Sequence, residues 1–456
     1  MSEEVTLDDF SKQREKNDVS DEHSRFGSLP DNWDISDISN IAEVVGGSTP
    51  STSNGDYWGG GIPWATPTDI TGLSGNTISE TEDTITEDGL ESASTHLLPP
   101  KSVLMTSRAT IGECAINNVE MATNQGFKSL VPGDEIGPWY LYYRMLDTAA
   151  FLNSLGSGST FDEVSKTEVQ SVDIPIPPLS EQRKIATVLY TVDRTIEKTE
   201  NIIHQTKRVR NGLRKSAFES GINEIGEFRD LSNDQLQETR IGNIPQNWEF
   251  LRLDGVCSDV VDCINTTPEY SDSGIRVVLT SEIEDGRYDP EESPYVSEEV
   301  YKERIRRIEP QPGDVIFTRE APIGEAFKIP EGERLCLGQR TIQLRPEKGT
   351  LDSDFLLELL YSKKMQSWFQ RVAVGSTTKH MRVGDVEGMK IPVPCIEEQR
   401  RIASLLRSYR DYITTNMEYV GQLRQHKQGL MQDLLSGTVR TADTTIAVPD
   451  EIAQHG

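Results

Sequence analysis

Residues 174–189 read IPIPPLSEQRKIATVL, and residues 391–406 read IPVPCIEEQRRIASLL. Each copy opens with alternating Ile or Val and Pro. Proline fixes φ and removes a backbone donor, so this part is an extended, edge-type strand. Each then passes into a run with apolar residues three and four apart, the spacing of a helix. The second copy stands 217 residues after the first, and the echo continues upstream at nearly the same offset. Pro30-Asp-Asn-Trp33 returns as Pro245-Gln-Asn-Trp248, and Ile111-Gly-Glu113 returns as Ile323-Gly-Glu325. One unit has therefore been written twice, which predicts pseudo-two-fold symmetry and a target with two related halves.

The helices that follow the two motifs repeat each other rung for rung. Ile185, Leu189, Val192, Ile196, Thr199, Ile203, Thr206, Arg210, Leu213 and Ala217 alternate spacings of four and three. Ile402, Leu406, Tyr409, Ile413, Asn416, Val420, Leu423, Lys427, Leu430 and Leu434 keep the same register. This is a coiled-coil seam, and polar residues fall at matching rungs: Thr199 with Asn416, Arg210 with Lys427. Two seams of equal length in one chain predict that the helices pair with each other, antiparallel. At 1.5 Å per residue each is about 60 Å long.

Composition narrows the class. The chain has 456 residues, room for two or three domains, and a net charge of −28. The acid lies on the turn-rich parts and the tails, whereas stretches 180–220 and 397–437 are net positive. Arginine outnumbers lysine. Such a surface suits a high-salt cytoplasm, where the Debye length at roughly 1 M salt is about 3 Å and repulsion from a polyanion is screened. The acidic N-terminus, MSEEVTLDDFSKQREK, is unlike a secretory signal, and no run of 18 apolar residues exists. Five scattered cysteines without a CxxC pair read as reduced thiols in the core, and the dispersed histidines argue against a metal site.

The order of parts resembles the specificity subunit of type I restriction–modification systems, from about Pro30 to Gly437. The residues that carry this are GGSTPST…YWGGGIPW (Gly46 to Trp64), GSGST (Gly156 to Thr160), PPLSEQRKIA (Pro177 to Ala186) and LMQDLLSG (Leu430 to Gly437), answered by GSTTKHM at Gly375 to Met381. Cys395 and Ile396 depart from the pattern by replacing the second Pro and the Leu, and the second unit lacks the GGGIPW opening. The resemblance implies an α/β (mixed α+β) fold with two tandem target recognition domains and two long antiparallel coiled-coil helices. The expected bounds are 1–28 flexible tail, 29–179 first domain, 180–221 central helix, 222–396 second domain, 397–437 C-terminal helix and 438–456 flexible tail. It also implies a non-catalytic cytoplasmic protein that reads double-stranded DNA at a bipartite, asymmetric site. Its expected partners are two modification (methyltransferase) subunits and the restriction (motor–nuclease) subunits. S-adenosylmethionine, ATP and Mg²⁺ would be used by those partners and not by this chain.

Between positions 35 and 179 the only basic residues are Lys101, Arg108, Lys128, Arg144 and Lys166, so each is informative. Lys101, Arg108, Lys128 and Lys166, with Ser159 and Thr160 of the GSGST loop, are the candidate DNA contacts of the first unit. Arg144 lies in an expected helix near Trp139 to Leu155 and suits a local ion pair. In the second unit the candidates are Arg319, Arg340, Thr377, Lys379 and Arg382, and the helix matching the first is expected at Asp354 to Gln370. Ser107 against Arg319, Arg108 against Glu320 and Phe161 against Thr378 mark exchange where two different base sequences would demand it. Trp33 and Trp248 read as core anchors. The Glu of each EQR (Glu181 to Arg183, Glu398 to Arg400) suits a helix N-terminus, and the resemblance adds subunit contacts there. Ile176-Pro-Pro-Leu179 lacks the polar head and aromatic end of a methyltransferase motif, and no GxxxxGK[ST] loop occurs. A self-contained restriction or modification enzyme, or a coiled-coil scaffold with degenerate readers, are the alternatives.

Overall fold

The computed structural model describes residues 26–93, 95–156, 163–232, 235–375 and 379–453. They fall into two units: the described residues up to Asn201 together with those from Glu418 onward, and Ile202–Met417. In both units the strand that follows the buried Trp is clipped by the last strand, and in the second unit a hairpin, Leu236–Thr239 with Gly242–Pro245, precedes it. Asp34–Asp37 pairs antiparallel with Asp173–Ile176, and Glu249–Arg252 with Lys390–Val393. The Ile/Val-Pro run is therefore an edge strand, as proline requires. Trp33 and Trp248, just ahead of the clipped strands, are buried core residues.

The two units share one sheet plan. In the first, strands run in the order Ala42–Gly46, Lys128–Pro132, Val103–Met105, Cys114–Asn117, Thr77–Ile78. In the second the order is Cys257–Asp262, Thr341–Pro346, Val315–Arg319, Ile323–Lys328. A smaller three-stranded sheet accompanies each: Thr84–Ile85, Trp58–Ala65, Ala122–Thr123 in one, and Tyr295–Val296, Ile275–Val278, Leu335–Leu337 in the other. Both contain one antiparallel and one parallel pairing in the same places.

A helix closes the back of each main sheet. Pro138–Gly156 does so in the first unit, burying Tyr140, Leu141, Tyr143, Met145 and Leu152. The second unit departs from the single helix expected at Asp354 to Gln370. It has two, Ser353–Leu360 and Lys363–Val372, because Ser362 breaks the run and caps the second helix by accepting from the Met365 amide. The glycine of each Ile-Gly-Glu motif lies under this helix with positive φ, 92° at Gly112 and 91° at Gly324. A Cβ there would meet Ala149 at 2.5 Å or Phe369 at 2.9 Å, so the repeated glycine is set by close packing.

The central helix spans Leu179–Ser220 and the C-terminal helix Ile396–Leu435, 42 and 40 residues. In the first unit Lys427 meets Asp193 at 2.7 Å and Arg424 meets Glu200 at 2.6 Å, so one helix index rises as the other falls. In the second unit the end of the central helix lies at the start of the other: the Ile222 amide donates to Glu398 at 3.0 Å. Both pairings are antiparallel. The expected seam residues Ile185, Leu189, Ile196, Ile402, Leu406, Ile413, Val420 and Leu434 are buried, and Val192, Ile203, Leu213, Tyr409, Leu423 and Leu430 are half-buried. Each charged rung pairs within its own unit. Arg210 reaches Asp285 on a turn of the second unit at 2.6 Å, and Lys427 reaches Asp193, which also accepts from Asn76 and Tyr143. They tie helix to sheet domain.

Residues 438–453, expected as part of a flexible tail, are packed on the first unit. Ile452 is buried in its core beside Val448, Trp139 donates to the Glu451 carbonyl, and Lys184 holds the Ala442 and Thr444 carbonyls. Two apolar side chains and a ring of paired carbonyls suffice to fix a short segment on a helix. Most of the expected N-terminal tail lies outside the described residues. No helix of the described residues is long and apolar enough to cross a membrane. Cys114, Cys257, Cys263 and Cys336 are buried free thiols, and Cys395 is exposed.

Candidate nucleic-acid interface

In the first unit three segments meet at Ser107. Its amide donates to the Gly126 carbonyl at 2.7 Å, and its carbonyl accepts from the Val164 amide at 3.1 Å. Arg108 and Glu163 then lie side by side, with the guanidinium 2.9 Å from the carboxylate. Lys128 enters from the neighbouring strand and donates to Glu163 at 3.2 Å and to Ser107 at 3.3 Å. Burial pushes the Glu163 carboxyl up, but hydrogen bonds from Arg108 and Lys128 outweigh it and hold it below the usual carboxylate range. The Arg108 side chain is 46% exposed and that of Lys128 is 12%. Arg108 presents its donor fork outward from a fixed base, the geometry that suits a guanine edge or a phosphate. Lys128, expected as a contact, is largely enclosed and paired with Glu163.

The second unit builds the same backbone junction with other side chains. The Arg319 amide donates to the Arg340 carbonyl at 2.9 Å, and its carbonyl accepts from the Met381 amide at 2.9 Å. Glu320 bridges to His380 where Arg108 bridges to Glu163. Arg319 is held on Asp262 at 3.2 Å with 11% of its side chain exposed. Arg340, 3.5 Å from Glu320, keeps 45% exposed and is the outward guanidinium here. Ala109, Ala321 and Arg340 all have positive φ, 58°, 47° and 68°. Non-glycine residues there cost about 1–3 kcal/mol, and such strain gathers where geometry serves a function.

Of the remaining candidates, Lys166 stands exposed on the short helix Lys166–Gln170, and Lys379 and Arg382 stand exposed beside the second junction. Lys101, at φ 73°, holds Asn118 at 3.0 Å at the opposite end of strand Val103–Met105 from Ser107. Ser159, Thr160 and Thr377, with Phe161 and Thr378, lie outside the described residues. Arg144 forms the local pair expected, with Asp147 at 2.8 Å, and also donates to the Leu435 carbonyl. Asp262 and Glu163, which orient the basic groups, were not singled out from sequence. Their signal was present as acids beside scarce cations.

Each EQR motif is an internal lock. Glu181 accepts from Trp33 at 3.1 Å, from Arg440 at 2.8 and 2.9 Å and from the Thr441 amide at 3.3 Å. Glu398 accepts from Arg229 at 2.6 Å and the Ile222 amide. Gln182 holds the Gly137 amide and the Glu135 and Pro177 carbonyls, while Gln399 holds the Asp352 amide and the Thr350 and Pro394 carbonyls. All four side chains are buried. The Glu of each motif thus ties the helix start to the segment leaving the partner helix, and the Gln ties it to the loop ahead of the helix that backs the sheet. Cys395 can replace Pro178 because only its carbonyl is used, accepting from the Glu398 and Gln399 amides.

A duplicated unit, two junctions of like frame and unlike charge, and paired long helices are now in view. The model of the type I restriction modification DNA specificity domain matches residues 30–208 and again 245–420. The chain belongs to that family. It is 29% identical over 438 residues to the type I restriction enzyme MjaIX specificity subunit of Methanocaldococcus jannaschii, covering 92% of this chain and 96% of that one. The EcoBI specificity subunit of Escherichia coli is 23% identical over 442 residues, covering 93% and 90%. The crystal structure of the S subunit from M. genitalium aligns over 90% of this chain and 98% of that one, with TM-score 0.55 at 12% identity. A chain from a structure of type I restriction–modification complex assembly aligns with TM-score 0.51 at 19% identity, over 90% and 100%. Within a type I restriction–modification system this chain is the DNA-recognition subunit. Among the described residues no group of three or more His, Cys, Asp or Glu gathers as metal ligands.

Proposed function

We propose that each unit reads one half of a split, asymmetric DNA site, and that the paired helices set the unread gap between the halves. The observation that carries this is the junction built twice on one backbone plan, with Arg108, Lys128 and Glu163 in one copy and Arg319, Glu320 and Arg340 in the other. A common frame holds the reader at a common depth, and the side chains change what is read. The chain itself carries out no chemistry in this reading. It directs two modification subunits, which methylate adenine with S-adenosylmethionine, and restriction subunits, which use ATP and Mg²⁺, all in the cytoplasm. The long helices are the docking surface. Exposed Ile202, Val209 and Tyr412 on the helices of the second unit and Tyr419 in the first are apolar surface that such docking would cover.

Long-read methylation mapping of the host genome, with and without the gene, tests the proposal. The expected result is one bipartite methyl-adenine motif that vanishes on deletion. An unchanged methylome, with the gene and its partner genes expressed, overturns it and favours a scaffold with degenerate readers.

A further inference from the structure

The second unit carries a basic groove that the reading junction does not account for. Its volume is about 760 Å³, and Lys215, Glu219, Lys363, Lys364, Ser367 and Arg371 line it. Four cations against one carboxylate is a concentration of positive charge in a chain whose net charge is −28. Two of the four, Lys363 and Lys364, occupy the first turn of helix Lys363–Val372, where no acidic residue offsets them. The positive end of the helix dipole disfavours cations there. Lys363, exposed at this position, breaks a local preference, and such departures gather at functional surfaces. Lys364 has a structural task, holding the Phe218 carbonyl at 2.8 Å and the Asn243 carbonyl. Lys215, Lys363 and Arg371 remain exposed, and Arg371 makes a 3.3 Å contact to the Arg240 carbonyl.

The groove is coupled to the junction through the same helix. Gln366 donates to the Gly324 carbonyl at 2.9 Å, and Phe369 packs on Phe317 with ring centroids 5.1 Å apart. The helix ends at Val372, and Val374 pairs with His380, which in turn bridges to Glu320. Lys379 and Arg382 are exposed on this return. At the offset of 217 residues the first unit has Leu146, Asp147, Ala150 and Ser154 in place of Lys363, Lys364, Ser367 and Arg371, and Gln432 in place of Lys215. The charge belongs to one copy alone.

We infer that Lys215, Lys363 and Arg371 form an accessory track for the phosphate backbone of duplex DNA flanking the half-site read by the second unit. This rests on the DNA-reading function above and adds an asymmetry to it. The second unit gains sequence-independent affinity from phosphate contacts, while the first must rely on its junction. A negatively charged protein surface would fit the same cations. The duplex is favoured because the helix that lines the groove packs on Phe317 and Gly324, in the two strands that carry the reading junction.

The test uses the full chain in complex with its modification subunits, binding a duplex that contains the mapped motif, across a potassium chloride series. The triple variant K215Q/K363Q/R371Q is expected to reduce the slope of log affinity against log salt by about 2–3, near one for each phosphate contact removed. Affinity near 0.1 M salt should fall roughly 10–100-fold, with the preference for the mapped motif over unrelated DNA retained. The charge reversal K363E alone should fall further than K363Q. An unchanged slope with normal wild-type binding overturns the track while leaving the reading function intact. Loss of modification-subunit association with DNA binding by the free chain unchanged also overturns it, and assigns the groove to a protein. Absence of motif preference in the wild type would instead strike at the reading function, and the track would fall with it.

Discussion

The two junctions differ in how their charges are spent. At Ser107 two cations share one carboxylate, so Glu163 is a hub and Arg108 is the outward arm. At Arg319 two separate pairs form, Arg319 with Asp262 and Arg340 with Glu320. The backbone bonds beneath them are the same in kind and nearly so in length. The lesson is a division of labour: main-chain pairing, indifferent to side-chain identity, fixes the frame of the junction, and the side chains are left to vary. The EQ locks show the opposite behaviour. There Glu181 and Glu398, Gln182 and Gln399 keep their identity. Each Glu takes an arginine and a backbone amide from the segment leaving the other helix, and each Gln holds one amide and two carbonyls. Trp33 donates to Glu181, while Trp248 makes no such bond.

The largest effect should come from breaking what the copies share. Glu181→Ala would strand the Trp33 and Thr441 donors in a buried site, and about 3 kcal/mol of stability should be lost in denaturant unfolding. Glu398→Ala should cost a similar amount, felt first in the second unit. Equal losses would sharpen the view of one lock used twice. A loss under about 1 kcal/mol at either would break it.

Next in size are changes to what the copies do not share. Arg108→Ala should lower discrimination at one half of the DNA site by about 1–3 kcal/mol and leave the other half untouched, and Arg340→Ala should do the reverse. Methylome mapping of each variant reads both halves at once. Relaxation of both halves by a single variant would show that the units do not read independently.

The smallest effect is with pH. Burial raises the Glu181 carboxyl, but hydrogen bonds from Arg440 and Trp33 outweigh it, so its folded pKa lies below the ordinary value. A depressed carboxylate contributes stability that is present above its unfolded pKa, about 4.3, and lost as pH falls through the folded value. Stability from this group should thus be level near neutrality and decline below about pH 4. Glu181→Gln should flatten that decline. An identical acid limb in the variant would place the loss elsewhere, for example at Glu163, which is lowered for the same reason.

Much of this was legible in the residues. The 217-residue echo, the seam and the Ile-Gly-Glu glycine need only periodicity and size to be understood, and the burial of Ile185 to Leu434 follows the 3/4 spacing throughout. The edge strands were legible because proline leaves few alternatives. Reading contacts were less so. Lys128 and Arg319 look like Arg108 and Arg340 in a sequence, and only the folded surroundings leave the first two enclosed and the last two half open. Arg229 and Arg440 were invisible as partners of the EQR motifs, since they follow the helix ends at different spacings. The break at Ser362 was missed because a serine inside an apolar run can sit in a helix as readily as cap one.

What the sequence determined by itself was the duplication, the two long paired helices and the family plan, because these rest on patterns repeated along one dimension. What only the tertiary structure decided was which charges are spent internally and which remain for a partner. Glu163, Asp262 and Glu320 meet their cations across segments far apart in the chain, and exposure is a property of how those segments fold together.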